Sequence, residues 1–226
     1  ISHKFLNEKQ ILKIKFKNKE YKFQLDLIGK IQIKNILMAV LAANKSGLKF
    51  KKIIKILDQI KPVEGRLQKI GDIKNNSRVI LDYAHTPEAL ELALKNLKEQ
   101  FPTSRVKVVF GCGGNRDIKK RFMMGKIVEK YPDKIFLTDD NPRYENPLKI
   151  RKDIKKGIKK MRIYEFGNRK RAIYEAIKTL NTGDVLLVAG KGHEKIQDYG
   201  KKKLYFSDQE IILKSIKLKN KILSKN

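Results

Sequence analysis

Apolar and polar positions change period three times along the chain. From residue 11 to 27, "ILKIKFKNKEYKFQLDL", apolar and basic residues alternate on either side of "KNKE". That period of two predicts a half-exposed β-hairpin. After Gly29 the spacing becomes helical: "IKNILMAVLAANKSG" stops at Gly47, and "KFKKIIKILDQI" predicts a second amphipathic helix ending before Pro62. A boundary is expected at Pro62 to Gly65, giving residues 1–63 and 64–226 as two units.

From Gly65 onward short apolar runs alternate with helical stretches. "RVILDYA", "RVKVVFG", "KIFLT", "RIYEF" and "DVLLVAG" predict strands. Between them lie helices around "TPEALELALKNLKEQF", "FMMGKIVEKY", "PLKIRKDIKKGI" and "RKRAIYEAIKTL", the first with Thr86 as N-cap and Pro87 at its first position. Strand–helix alternation of this length implies right-handed crossovers, hence an α/β fold with a mainly parallel sheet and helices on both faces. "KKLYFSD" and a helix through "QEIILKSIKL" are expected to close it.

In such a sheet, ligands bind beyond the carboxyl ends of the strands. Each predicted strand is followed by a polar or glycine-rich loop: "DYAHTP" (82–87), "GCGGNRD" (111–117), "DDNPR" (139–143), "FGNR" (166–169) and "AGKGHE" (189–194). Alone, each has an ordinary explanation, since Asp82 could cap a helix and "DNP" is a common turn. Five on one rim predict a polar binding site.

Composition narrows the partner. The 226 residues are 41% hydrophobic, enough for a core, and no apolar run approaches the roughly 20 residues of a membrane helix. The formal charge of +29 raises nucleic acid or anionic lipid as partners, but only ten of the 53 basic residues are Arg and the Lys are scattered. The expectation is a solvated Lys-rich surface, with neither nucleic acid nor membrane bound. The single cysteine, Cys112, allows no internal disulfide and fits a reducing cytoplasm. "GCGGNRD" lacks the Lys-Ser/Thr ending of a P-loop, and no such loop occurs within the 226 residues. His85 and His193 with Asp82 and Glu194 lack the tight spacing of a metal site, and Cys112 between glycines reads better as a packing residue than as a nucleophile.

Taken in order, "GRLQ" (65–68), "DYAHTPEAL" (82–90), "VFGCGGNRD" (109–117), "TDDNPR" (138–143) and "VAGKGHE" (188–194) resemble the C-terminal half of a MurE-type Mur ligase. That family joins meso-2,6-diaminopimelate to UDP-N-acetylmuramoyl-L-alanyl-D-glutamate in peptidoglycan synthesis, using ATP and Mg2+ through an acyl phosphate. The resemblance implies a Rossmann-like sheet preceded by the end of a central ATPase domain. It assigns diaminopimelate binding to Arg116, Asp140, Asn141, Arg143, Gly190 and Glu194, with Asp139 as a structural neighbour. Nucleotide binding falls to Gln32, Asn35, Arg66 and Asp82, with His85 a further candidate. Many family members carry Asn where this chain has Gln32, and Pro where it has Glu64. The resemblance names no catalytic residue and no metal ligand within residues 1–226, so the chain is expected to be inactive by itself. It also implies a monomer. The competing reading is a non-catalytic basic binding module on the same fold, which would have no need to keep both "DDNPR" and "AGKGHE".

Overall fold

The computed structural model describes residues 1–225. Three antiparallel strands open the chain: β1 (Ser2–Leu6), β2 (Lys9–Phe16) and β3 (Lys19–Leu25). The predicted hairpin is β2 and β3, turning at Lys17 and Asn18, both in the left-handed region. β1 is an addition, and its alternation is muted because all of its side chains are exposed or half-buried.

Helix α1 (Lys30–Lys45) follows, then α2 (Phe50–Ile54), where a longer helix was predicted. Lys49 offers no side-chain cap and Ile53 and Ile54 are β-branched, so the segment finishes as a 3-10 turn at Leu57–Gln59. Leu12, Leu25, Ile33, Val40, Ile53 and Leu57 belong to a core confined to residues 12–57. Burying a side chain of this size contributes about 1.5–3 kcal/mol.

The remainder is the predicted α/β layer. Its strands are β4 (Gln68–Lys69), β5 (Arg78–Asp82), β6 (Val106–Phe110), β7 (Lys134–Thr138), β8 (Ile163–Phe166) and β9 (Val185–Ala189). Their spatial order is β4-β5-β9-β6-β7-β8, parallel except for β4. The strand latest in sequence therefore lies between β5 and β6. Helices α3 (Pro87–Gln100), α4 (Lys119–Lys130) and α5 (Pro147–Lys155) cover one face. The other face is covered by α6 (Arg169–Lys178) and α7 (Asp208–Leu223). Strand residues divide between the two cores in alternation: Ile80, Val108 and Leu187 face the first, whereas Val79, Leu81, Val109, Leu186 and Val188 face the second.

Parallel register aligns the strand ends. Asp82 pairs with Ala189, Phe110 with Leu137, and Thr138 with Phe166. All five loops named above leave from this rim. Thr86, Asn146 and Asn168 then cap α3, α5 and α6 by accepting a backbone N–H in the first turn, which fixes where each loop ends. "KKLYF" does not join the sheet; β11 (Lys203–Tyr205) pairs only with β10 (Ile196–Asp198), forming a small hairpin after the last rim loop. The N-terminal unit is tied to the α/β layer where Gln100 Oε1 accepts from Gly29 N–H at 2.8 Å and Asn96 Oδ1 from Ile31 N–H at 3.1 Å. Among the described residues no helix is long and apolar enough to cross a membrane.

Candidate functional site

Two cavities open along the rim. The larger, about 530 Å³, is lined by Arg116, Asp140, Asn141, Arg143, Gly190 and Glu194, all six residues predicted to bind an amino acid. The second, about 320 Å³, is lined by Gln32, Asn35, Arg66 and Asp82, four of the five residues predicted to bind a nucleotide. The fifth, His85, lies instead on the wall of the larger cavity, with Nδ1 at 2.8 Å from the Tyr83 carbonyl.

The floor of the larger cavity is a network of buried polar groups. Lys191 is fully buried, and its Nζ donates to Asn141 Oδ1 at 3.0 Å, to Glu194 Oε2 at 3.0 Å and to the Ile196 carbonyl at 2.5 Å. Asn141 Nδ2 also donates to Glu194 Oε2 at 3.1 Å, and Asn141 Oδ1 accepts from Asp198 N–H at 3.0 Å. The carboxamide is thus engaged at both ends. Glu194 keeps Oε1 toward the cavity, where it accepts from Tyr83 O–H at 3.3 Å. Burial alone would raise the Glu194 carboxyl, but Lys191, Asn141 and Tyr83 outweigh it and hold the pKa below the usual value. Asp140 accepts from Asn141 N–H through Oδ1, whereas its buried Oδ2 has no partner.

Arg143 sits with φ at 52°, the left-handed region, where a non-glycine residue carries about 1–3 kcal/mol of strain. The conformation is held from both sides: Arg143 N–H donates to the Asp198 carbonyl at 2.9 Å, and Glu145 N–H to the Pro142 carbonyl at 3.1 Å. It aims the side chain across the loop, where Nη1 donates to the Gly114 carbonyl at 2.7 Å. Arg116 is exposed and takes part in no ion pair among the described residues. One wall thus carries guanidinium donors and another carries carboxylate oxygens with room to accept. That arrangement suits a ligand bearing a carboxylate and an ammonium on one carbon.

Two buried arginines that the sequence did not single out brace these loops. Arg121 of α4 donates from Nη2 to both oxygens of Glu145 at 2.8 Å, and Glu145 also accepts from Asn115 N–H. This staples the loop bearing Arg116 to the loop bearing Arg143. Arg169, at the start of α6, pairs with buried Asp208 at 2.8 and 2.6 Å and donates to the Ala189 carbonyl at 2.9 Å. Asp139 does not line the cavity; it is held by Arg151 and by Tyr199 O–H at 3.1 Å.

The second cavity has a different character. Ile31, Val63, Leu92 and Ala93 supply apolar walls. Gln32 Nε2 donates to the Arg66 carbonyl at 3.2 Å and Asn35 Nδ2 to Gln32 Oε1 at 3.3 Å, leaving carboxamide edges along an apolar slot. Asp82 is occupied by the backbone: its oxygens accept from Leu67 N–H at 2.7 Å and Ala84 N–H at 2.8 Å, and burial raises its pKa despite these bonds. Tyr83 of the larger cavity contacts a wall residue of the second: its ring carries the Arg66 guanidinium at 4.8 Å while its hydroxyl reaches Glu194. Among the described residues no three His, Cys, Asp or Glu side chains gather as a metal site would.

The family described as "Mur ligase, glutamate ligase domain" matches residues 65–192. The chain is 48% identical to the UDP-N-acetylmuramoyl-L-alanyl-D-glutamate--2,6-diaminopimelate ligase of Rickettsia felis over 91% of its own length and 38% of that protein's. With the enzyme of the same name from Rickettsia rickettsii it shares 47% identity, over 92% of this chain and 43% of the relative. Among solved structures, a UDP-N-acetylmuramoyl-L-alanyl-D-glutamate--2,6-diaminopimelate ligase superposes with a TM-score of 0.72 at 30% identity, covering 96% of this chain and 44% of the other. A folylpolyglutamate synthase from Mycobacterium tuberculosis, at 17% identity and a TM-score of 0.65, shares the fold alone. The chain spans about two fifths of the length of the curated relatives it matches. A rim of five loops on a parallel sheet, matched across most of the described residues by relatives of one kind, leads to one assignment: the chain belongs to the Mur ligase family.

Proposed function

We propose that this chain is the amino-acid-carrying part of an ATP-dependent amide ligase that adds meso-diaminopimelate to UDP-N-acetylmuramoyl-L-alanyl-D-glutamate in peptidoglycan synthesis. Residues 64–226 form its C-terminal domain and residues 1–63 the end of its ATP-binding domain. The enzyme works in the cytoplasm, as a monomer.

The observation that carries this reading is the convergence of six separately coded residues on one cavity with guanidinium groups on one wall and carboxylates on another. Diaminopimelate is an amino acid at both ends. Arg143 and Arg116 would grip the carboxylate of its far end, and Glu194, Asp140 and the Gly190 carbonyl would accept from the neighbouring ammonium. Asn141, with its carboxamide committed to Lys191, Glu194 and Asp198, acts by holding Glu194 in place. The near amine is then left free to attack an activated carboxylate. This is catalysis by placement, and the chain's own side chains form no covalent bond to the substrate.

The apolar slot with carboxamide edges fits a purine, so Gln32 and Asn35 would meet the base and Arg66 the phosphates. Asp82 would offer the ribose only the lone pairs its backbone bonds leave, and His85 would approach the nucleotide only from across Tyr83. Bound ATP supplies the phosphoryl group that activates the acceptor carboxylate. Among the described residues no three His, Cys, Asp or Glu side chains gather to hold Mg2+.

Calorimetric titration of the complete ligase with meso-diaminopimelate and with L-lysine tests the proposal. Diaminopimelate should bind and lysine, lacking the distal carboxylate, should not. Equal affinity for the two would rule the reading out.

A further inference from the structure

Lys191 is the most completely buried lysine of the rim, and nothing in its loop's sequence separates it from the many solvated lysines of this chain. Its ammonium has three donors and three acceptors within 3.0 Å: Asn141 Oδ1, Glu194 Oε2 and the Ile196 carbonyl. It has no hydrogen left for a ligand. Nor does the backbone leave it free to swing away, because Glu194 N–H donates to the Lys191 carbonyl at 2.9 Å and closes a tight turn between the two residues.

The consequence falls on Glu194. Lys191 and Asn141 together saturate Oε2, so the carboxylate is turned with Oε1 toward the cavity. Among the described residues its partner there is the Tyr83 hydroxyl, at a long 3.3 Å. Lys191 also grips Asn141 and, through Ile196, the first strand of the β10–β11 hairpin. That hairpin's Asp198 carbonyl in turn holds the strained Arg143. One ammonium therefore sits beneath both the carboxylate wall and the guanidinium wall.

We propose that Lys191 is a positioning and specificity-determining residue: it presents Glu194 Oε1 as an ionised acceptor for the ammonium of the bound amino acid, and it sets the spacing between Glu194 and Arg143 without touching the ligand. This rests on the function proposed above. Other charged or titratable groups around Glu194 are Tyr83 and His85 from the β5–α3 loop, Arg116 from the β6–α4 loop, Asp140 and Arg143 from the β7–α5 loop, and Arg169 from α6. Among these, Lys191 is the cation in direct contact with the Glu194 carboxylate.

The test uses the complete ligase. Lys191→Met, of similar length and unable to donate, should raise KM for meso-diaminopimelate by roughly tenfold or more, as expected when a buried charge loses its partner, and leave KM for ATP within about twofold. It should also move the acidic limb of kcat/KM for diaminopimelate to higher pH, because an unpaired, half-buried carboxylate takes up a proton more readily. Lys191→Arg, which keeps the charge, should leave that limb in place. If Lys191→Met is too unstable to assay, Lys191→Met combined with Glu194→Gln removes both charges. That double variant should match Glu194→Gln within about threefold in KM for diaminopimelate, since coupled residues are not additive. An unmoved acidic limb with unchanged KM, or a double variant much worse than Glu194→Gln, overturns the assignment. A wild-type enzyme that does not use diaminopimelate instead removes the proposed function.

Discussion

Arg169 Nη1 and Asp140 Oδ2 approach to 3.9 Å beneath the larger cavity, and each is buried without a hydrogen-bond partner. The rest of Arg169 is fully engaged by Asp208 and the Ala189 carbonyl. The result is a carboxylate oxygen buried beneath the cavity, with a guanidinium nitrogen 3.9 Å away and no hydrogen-bond partner among the described residues. An unmet buried acceptor of this kind is costly.

Arg169→Met should destabilise the protein by about 3–5 kcal/mol, because Asp208 is left as a buried, uncompensated charge. Urea unfolding measures this. Adding Asp208→Leu should recover most of the loss, and a single variant as stable as wild type would refute the buried pair's importance.

Arg143→Ala in the complete ligase should weaken selection for diaminopimelate over lysine by roughly 2–5 kcal/mol, the cost of stranding one side of a buried charge contact. Steady-state kinetics with both amino acids decides the matter, and unchanged selection would mean that another group reads the distal carboxylate.

Gly65 has φ at +67°, and a Cβ there would lie 2.6 Å from the His193 backbone nitrogen. Gly65→Ala should therefore cost more than about 1 kcal/mol and push the 190–194 loop outward, with weaker amino-acid binding. Gly47, with φ at +94° and nothing within 4 Å, is the comparison: Gly47→Ala carries the backbone strain alone and should leave amino-acid affinity intact.

Burial would lift the carboxyls of Glu145 and Glu194. Arg121 and Asn115 N–H around the first, and Lys191, Asn141 and Tyr83 around the second, pull both below the ordinary Glu value of 4.5. Such groups stabilise the fold above 4.5, and the contribution is lost as pH falls through the lower folded-state values. Asp82 and Asp139, raised by burial, act with the opposite sign, so the informative quantity is a difference. Glu145→Gln should flatten the acid side of a plot of urea midpoint against pH. A curve parallel to wild type would show that Glu145 titrates normally.

Cys112 is buried against Met124, and burial pushes its thiol up to about 12. Native protein should resist iodoacetamide at neutral pH and react once unfolded in urea, as mass spectrometry would show.

The parallel layer and the five loops were legible because strand alternation, helix caps and glycine-rich turns are local signals. β1 and β4 were not, being an exposed edge strand and a two-residue pairing. The strand order was also beyond local patterns, since "DVLLVAG" looks like any buried parallel strand wherever it inserts. The buried cations were the largest omission. In a chain with 53 basic residues, Arg121, Arg169 and Lys191 resemble the solvated majority, and only tertiary burial distinguishes them. A hint existed for Arg169, which stands just after a strand end beside an Asn N-cap.

The central position of β9 has a consequence for how the protein is made. β5 and β6 do not pair with each other; each hydrogen-bonds to β9, which leaves the ribosome about 75 residues after β6 ends. Until that strand inserts, the growing chain holds two separate half-sheets with exposed inner edges, and the loops bearing Asp82 and Gly111 have no common frame. Completion of the sheet and completion of the cavity are thus one event: the loops after β6 and β7 can be set side by side earlier, and those after β5 and β9 join them only when β9 inserts.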